Sequence, residues 1–360
     1  MMGLMRPGVV AAVVGLLAFG CGGPEVEVTV VGGPAATETP ALEAATLGAT
    51  PSATMDGVGA ATLVGDETAT PAASGRVTIA AVGDVMLARS LGRRILAGEG
   101  AAILADVATL LTGADIAVAN LETAVSDIGA PQAKGYTFRS PPGAIDVLVG
   151  AGIDVAALAN NHALDYGPEA LLDTVARLSA AGIANAGAGA NEAEARAPAI
   201  VERNGVRAAF LSYVDTQAEG SYSQGTWDAG PGTAGVAWAS VGEIQADVAA
   251  AAMQADVVVV LLHFGIEYAT VPSETQRVYA RAAIDAGASL VLGSHAHVLQ
   301  PVEEYGRGLI AFSLGNFVFD GFDGAANDTA ILLVTIDEGA VIDWELVAAR
   351  VIDGIPHLVD

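Results

Sequence analysis

From residue 76 onward, short runs of β-branched and aliphatic residues alternate with longer amphipathic segments, and this alternation is the main structural signal in the chain. Runs of strand length predict strands over 77–82, 116–119, 155–159, 206–213, 257–262, 290–292, 309–313, 330–336 and 340–351. Helical spacing of apolar positions predicts helices over 103–111, 143–150, 168–181, 241–254 and 273–286. Pro168 in a first turn and Gly182 just past a last one fit ordinary helix start and stop chemistry. Strands alternating with helices imply a mostly parallel α/β core, and the late strand-only region implies a mixed or antiparallel finish. No internal repeat is visible.

Residues 22–74 have a different texture. They contain no Lys, Arg, Phe, Trp or Tyr and consist largely of Ala, Thr, Gly, Pro and scattered acids. Such a segment cannot bury enough apolar surface to offset its ordering entropy, so it is expected to be a disordered tether. The apolar run 26–31 has strand character but no nearby partner. As a flexible coil the tether would span about 40 Å.

The chain begins with Arg6 followed by an apolar run over 8–20 and then Cys21. That run is too short to span a bilayer, which takes about 20 residues, and fits the apolar part of a signal peptide. Cys21 is the only cysteine, which excludes an intramolecular disulfide. Its place after Leu17-Ala18-Phe19-Gly20 resembles a bacterial lipobox, with Ala18 and Phe19 departing from the usual residues. Cleavage nearby with an incidental cysteine, or an uncleaved anchor, stay open as alternatives. The expected organisation is a signal peptide with lipidated Cys21 over 1–21, a linker over 22–75 and one folded domain over 76–360. The protein is then extracytoplasmic and held to the cell membrane by lipid.

At 360 residues and 52% hydrophobic content the chain can bury one large core. Charge narrows the partners further. There are 41 acidic against 15 basic residues, a formal net charge of -26, and Lys134 is the only lysine. This excludes nucleic acid, whose phosphates are bound by Lys and Arg clusters. A polyanionic substrate would need metal ions or a few arginines to reverse the field locally.

Candidate chemistry collects just beyond the expected strands, where open α/β sheets place ligands. The strands run into Gly83-Asp84-Val85-Met86, Asn120-Leu121-Glu122, Asn160-Asn161-His162-Ala163-Leu164-Asp165, His263-Phe264-Gly265-Ile266-Glu267-Tyr268 and Gly293-Ser294-His295-Ala296-His297. Four of the five histidines therefore sit at strand ends, and His357 lies outside the pattern. Singly, Asp84 is as good a helix cap and Asn-Asn-His as good a satisfied loop. Together, imidazoles and carboxylates recurring at strand ends point to divalent first-row metals.

The same stretches carry a family resemblance. The order Asp, Asn/Glu, Asn-His, His, His-x-His resembles the calcineurin-like metallophosphoesterase superfamily. "GDVMLAR", "ANLETAVSD", "ANNHALDYG", "HFGIEY", "GSHAHVLQP" and "SLGNFVFD" resemble the CapA/PgsA poly-γ-glutamate capsule-synthesis family over residues 77–320. The resemblance implies an α/β, metallophosphoesterase-like four-layer sandwich, with two mixed sheets flanked by helices and two divalent ions (Mn, Zn, Fe or Mg) at the sheet ends. It places Asp84 and His297 on one ion and Asn161, His263 and His295 on the other, with Asn120 or Glu122 replacing the superfamily's bridging Asp. His162, with Asp165, would be the catalytic pair, His162 serving as general acid or transition-state stabiliser. Met86 stands where the superfamily has a metal-binding His, so unequal occupancy of the two sites is expected, with Met86→His restoring the donor.

Arg89 and Arg139 are candidate clamps for a carboxylate or phosphate, each as readily explained as a solvated surface residue. Glu267 and Tyr268 follow His263 closely enough to orient it, or begin an exposed helix. The Gly-rich stretch 220–235, with Tyr222 and Trp227, reads as a flap over the site or a plain surface loop. The functional expectation is a metal-dependent hydrolase or transferase acting on an anionic polymer or envelope peptide, beside membrane-bound capsule-synthesis partners. A non-catalytic polymer-binding or assembly factor and a generic metal-dependent phosphoesterase are the alternatives.

Overall fold

The computed structural model describes residues 75–359, so the expected signal peptide, Cys21 and nearly all of the linker lie outside the described residues. Two large sheets dominate. The first orders its strands Ile355–Leu358, Ala340–Ile352, Asp328–Asp337, Arg76–Val85, Ile116–Leu121, Val155–Ala157 and Ala184–Ala186, with Asn316–Val318 also pairing with Arg76–Val85. The second runs Val302–Tyr305, Gly308–Ala311, Leu290–Ser294, Val257–Phe264, Val206–Asp215 and Ala199–Arg203. Both are mixed: neighbours of Arg76–Val85 are parallel on one side and antiparallel on the other, and the second sheet ends in antiparallel pairs at both edges.

The layering follows from the period-two alternation of strand side chains. Ile79 and Ala81 share one apolar cluster with Ile116, Val118, Phe210, Val259, Leu261 and Leu292, which is the seam between the sheets. Their neighbours Ala80 and Val82 join a second cluster with Leu91, Leu111, Leu148, Leu171 and Leu178, where helices cover the first sheet. On the far side, Val258, Val260 and Val291 pack with Ile244, Val248, Ala280 and Ala283 from helices Val241–Ala252 and Glu274–Asp285. The result is helix, sheet, sheet, helix, the four-layer α/β arrangement expected. Strands buried on both faces read as continuous apolar runs, as in Val257–Phe264.

Three local expectations change. The helix expected over 103–111 is Ala108–Gly113, because residues 103–107 form a bend and a turn and Asp106 accepts a hydrogen bond from Leu358 N at 3.2 Å. A helix at Arg89–Leu96, unmarked by the hydrophobic pattern, buries Leu91 while presenting arginines to solvent. The stretch 220–235 is anchored rather than free, since Tyr222 and Trp227 are buried in an edge-to-face pair at 5.0 Å. No helix among the described residues is long and apolar enough to cross a membrane.

Candidate metal and catalytic site

Parallel strands from both sheets end at the same edge, and that common direction builds the site. Gly83 lets the first strand pass close to residue 315: a Cβ there would lie 1.9 Å from Gly315 O. Asp84 N donates to that carbonyl at 3.0 Å, which sets the Asp84 carboxylate at the strand terminus. Gly293 does the same in the second sheet, where a Cβ would meet Phe312 O at 2.0 Å, and the chain then turns into His295 and His297. Both histidines adopt left-handed backbone, with φ of 84° and 57°. Such conformations are costly for residues with a Cβ and cluster at functional sites.

Every ligand named from the sequence is buried here. Asn120 Nδ2 donates to Asp84 Oδ1 at 2.8 Å and lies 3.2 Å from His263 Nδ1. His263 Nε2 is 2.8 Å from Asn161 Oδ1, and its Nδ1 is 2.9 Å from Ser294 Oγ. His297 Nδ1 lies 2.8 Å from Asn316 Oδ1 and 3.4 Å from Asp84 Oδ2. Glu122, wholly buried, has Oε1 at 3.8 Å from the Nε2 of both His162 and His263. Ligand atoms of Asp84, Glu122 and His297 come within 4.8 Å of one another, as do those of Glu267, His295 and His297. Glu122 is therefore the carboxylate beside Asp84, while Asn120 spends its amide on orienting Asp84.

These residues fit a divalent cation on their own chemistry. Glu122 Oε1 and His295 Nδ1 are buried atoms without a hydrogen-bond partner among the described residues, a costly arrangement unless something else binds them. Burial first, and then the charge of Asp84, push the Glu122 carboxyl well above the usual range. Burial pulls His263 and His295 well below theirs, with neighbouring imidazoles adding to the effect. Neutral imidazole is the form that ligates metal. For His297 burial acts downward but is outweighed by the hydrogen bond and charge of Asp84, and its pKa rises.

A second constellation stands beside this one. His162 Nδ1 is 2.6 Å from Asp165 Oδ2, and the ring stacks on Phe138 with centroids 4.1 Å apart. Phe138 N donates to the same Asp165 oxygen at 2.6 Å. Burial pulls His162 down to about 4, against the hydrogen bond and charge of Asp165 that raise it. Lys134, assigned no role from the sequence, places Nζ 3.0 Å from Asp165 Oδ1 and also bonds to Asn161 O. It faces the rings of Tyr222 and Trp227 at 5.6 and 5.2 Å. Its position as the only lysine was the one signal available.

The remaining candidates sit further out. Arg89 stacks over Phe138 at 4.4 Å and pairs with Asp320 at 3.6 Å, so it borders the His162 side of the site. Arg139 lies over Tyr166 at 4.3 Å and donates to Ile128 O at 3.3 Å, in contact with none of the buried histidines. Glu267 is exposed and joins His295 and His297 rather than standing behind His263. Met86 is buried among Ala88, Phe138 and Phe319. His357 pairs with Asp106 at 3.3 Å at the surface. A cleft of about 660 Å³, lined by Tyr136, Asn161, Gln217, Glu219, Glu267 and His295, opens onto the site.

The bacterial capsule synthesis protein profile, PGA_cap, matches residues 78–321, the segment that carries every residue of this site. The chain belongs to that family. Among PGA_cap relatives, it is 33% identical over 213 residues to the PGA biosynthesis protein CapA of Bacillus subtilis, covering 59% of this chain and 54% of that protein. It is also 33% identical to the capsule biosynthesis protein CapA of Bacillus anthracis, over 57% of this chain and 50% of the relative. The chain thus spans about half the length of these two relatives. A probable polyglutamine synthesis accessory protein of Mycobacterium tuberculosis is 33% identical over 71% of this chain and 69% of that protein. A crystal structure of a candidate 5'-nucleotidase from Staphylococcus aureus, in complex with alpha-ketoglutarate, superposes with a TM-score of 0.46 at 14% identity, covering 79% of this chain and 55% of that one. A likeness that distant says nothing about substrate or reaction.

Proposed function

We propose that this PGA_cap protein acts in making or trimming an anionic capsule or envelope polymer of the poly-γ-glutamate type, as a metal-dependent hydrolase or transferase. The observation that carries the reading is the meeting of buried Asp84, Glu122, His263, His295 and His297 with the His162–Asp165 pair at one edge of both sheets. Asp84, Glu122 and His297 would hold one divalent ion, and His295 with Asn161 and His263 another. When bound, such ions polarise a scissile carbonyl or phosphoryl bond and supply hydroxide near neutral pH. They would also offset the acidity of a cleft lined by Glu219 and Glu267.

The chain's own residues supply the rest. Asp165 accepts from His162 Nδ1, which leaves Nε2 facing Glu122, where it can hold or take a proton. Stacking on Phe138 fixes the plane of the ring. Arg89 borders this side and offers a guanidinium to a substrate carboxylate. The lipobox-like Cys21 supports placing this activity outside the cytoplasm on a lipid anchor, beside membrane-bound synthesis partners.

The test is to incubate the full chain with poly-γ-glutamate and envelope peptides, with and without chelator, and follow products by mass spectrometry. Chelator-sensitive shortening or transfer is expected. Retention of unchanged polymer would favour an assembly factor instead, and cleavage of a chromogenic phosphodiester alone would favour a phosphoesterase.

A further inference from the structure

The two groups of potential ligands share His297 but differ in surroundings. Asp84 and Glu122 are wholly buried, whereas Glu267 is exposed and lines the cleft beside His295. An exposed carboxylate is not a ligand by itself. Here it is paired with a second observation, the buried His295 Nδ1 that has no partner among the described residues. The loop bearing Glu267 is also tied to the loop bearing the histidines. Tyr268 N donates to Ala296 O at 2.8 Å, and Gln300 Nε2 donates to Ala269 O at 2.7 Å. Gln300 in turn accepts from buried Gln276 at 2.9 Å, so the loop is braced against the helix Glu274–Asp285. None of the contacts that fix this loop uses the Glu267 carboxylate.

We propose that Glu267 is itself a metal ligand, an added carboxylate on the ion that His295 would hold at the open side of the site, with His297 close by. The inference rests on the metal-dependent reading of the function and adds to it. An imidazole pair with one carboxylate suits manganese, iron or zinc. Glu267 and His295 both line the cleft, so an ion they held would be open to a substrate carboxylate entering there.

The test is manganese binding by the full chain, titrated calorimetrically and counted by elemental analysis after dialysis, for the parent, Glu267→Gln and Glu219→Gln. Glu219 lines the same cleft and belongs to neither ligand group, and Gln at 219 keeps an oxygen that can accept from Gly135 N, so this variant reports the effect of cleft acidity. Expected is a loss of one equivalent, or at least a tenfold weaker site, in Glu267→Gln only, where removing even an outer partner of a ligand costs about 10- to 100-fold. Manganese binding in Glu267→Gln equal to the parent would overturn the assignment while leaving the metal reading intact. So would an equal weakening in Glu219→Gln. A parent chain that takes up no manganese would overturn both.

Discussion

Lys134 and Asp165 form an ion pair at 3.0 Å in which neither side chain has exposed surface. The contact is electrostatic rather than an aligned hydrogen bond, and Asp165 spends its other oxygen on His162 and Phe138. An isolated buried charge costs several kcal/mol, so the pair matters mainly through what its disruption would leave behind. Lys134→Met should destabilise the protein by about 3–5 kcal/mol by stranding the Asp165 carboxylate. The double variant Lys134→Met with Asp165→Asn should recover much of that loss. Urea denaturation of the two singles and the double measures the coupling, and additive losses would mean that the ion pair is not what holds this turn.

His263 and His295 should respond differently to truncation when no metal is added. His263 has partners at both nitrogens, in Asn161 and Ser294, so His263→Ala leaves buried polar groups unpaired at about 1–3 kcal/mol. His295 Nδ1 has no such partner among the described residues, and Ala retains the Cβ, so the strain at φ 84° is unchanged. In chelator-treated protein His263→Ala should melt well below His295→Ala, while both lose manganese and activity. Equal melting temperatures would contradict the hydrogen-bond pattern described for His263.

Much of this was legible in the sequence because strand ends are marked by a change from apolar runs to polar residues. Asp84, Asn120, Asn161, His263, His295 and His297 all stand at such changes, and the structure brings them to one edge. What stayed hidden depends on contacts distant in sequence. Asn316 orients His297 only because Asn316–Val318 pairs in parallel with the first strand, opposite Asp84. Lys134 and Glu267 lie in loops whose paths no periodicity encodes. The helix Arg89–Leu96 was masked by its arginines, which hide the single buried leucine.

Asp115 lies at the opposite end of the first two site-bearing strands and makes an acid-sensitive clasp. Its Oδ2 accepts from Thr78 N and Thr78 Oγ1, both at 2.7 Å, and its Oδ1 accepts from Asn204 Nδ2 at 2.7 Å. Burial acts to raise its pKa, but these hydrogen bonds and the charge of Arg203 outweigh it, and the pKa is lowered. A carboxylate with a depressed folded pKa contributes stability above its unfolded value, about 3.9, and loses it as pH falls through the folded value. Asp115→Asn should therefore be less stable than the parent at neutral pH, with the gap narrowing below pH ~4. Urea midpoints across that range report it, and a constant gap would show that Asp115 acts through shape alone.

Met86 gives the sharpest contrast between sequence and packing. From the sequence, a histidine here restores a missing metal donor, and Met86→His should raise the number of ions bound. In the structure the side chain is wholly buried with Ala88, Phe138 and Phe319, and Sδ accepts the Ala88 N–H at 3.2 Å. An imidazole in that place keeps one nitrogen for Ala88 and leaves the other facing aromatic carbon, at a cost of about 1–3 kcal/mol. Turning toward an ion would give up the Ala88 bond and the packing against Phe138, the ring that His162 stacks on. Met86→His should thus bind no more manganese than the parent and melt at a lower temperature. Elemental analysis after dialysis, with melting curves on the same samples, decides the matter. A higher metal content in the variant would show that the packing yields and that the ion of Asp84 and His297 lacks a donor after all.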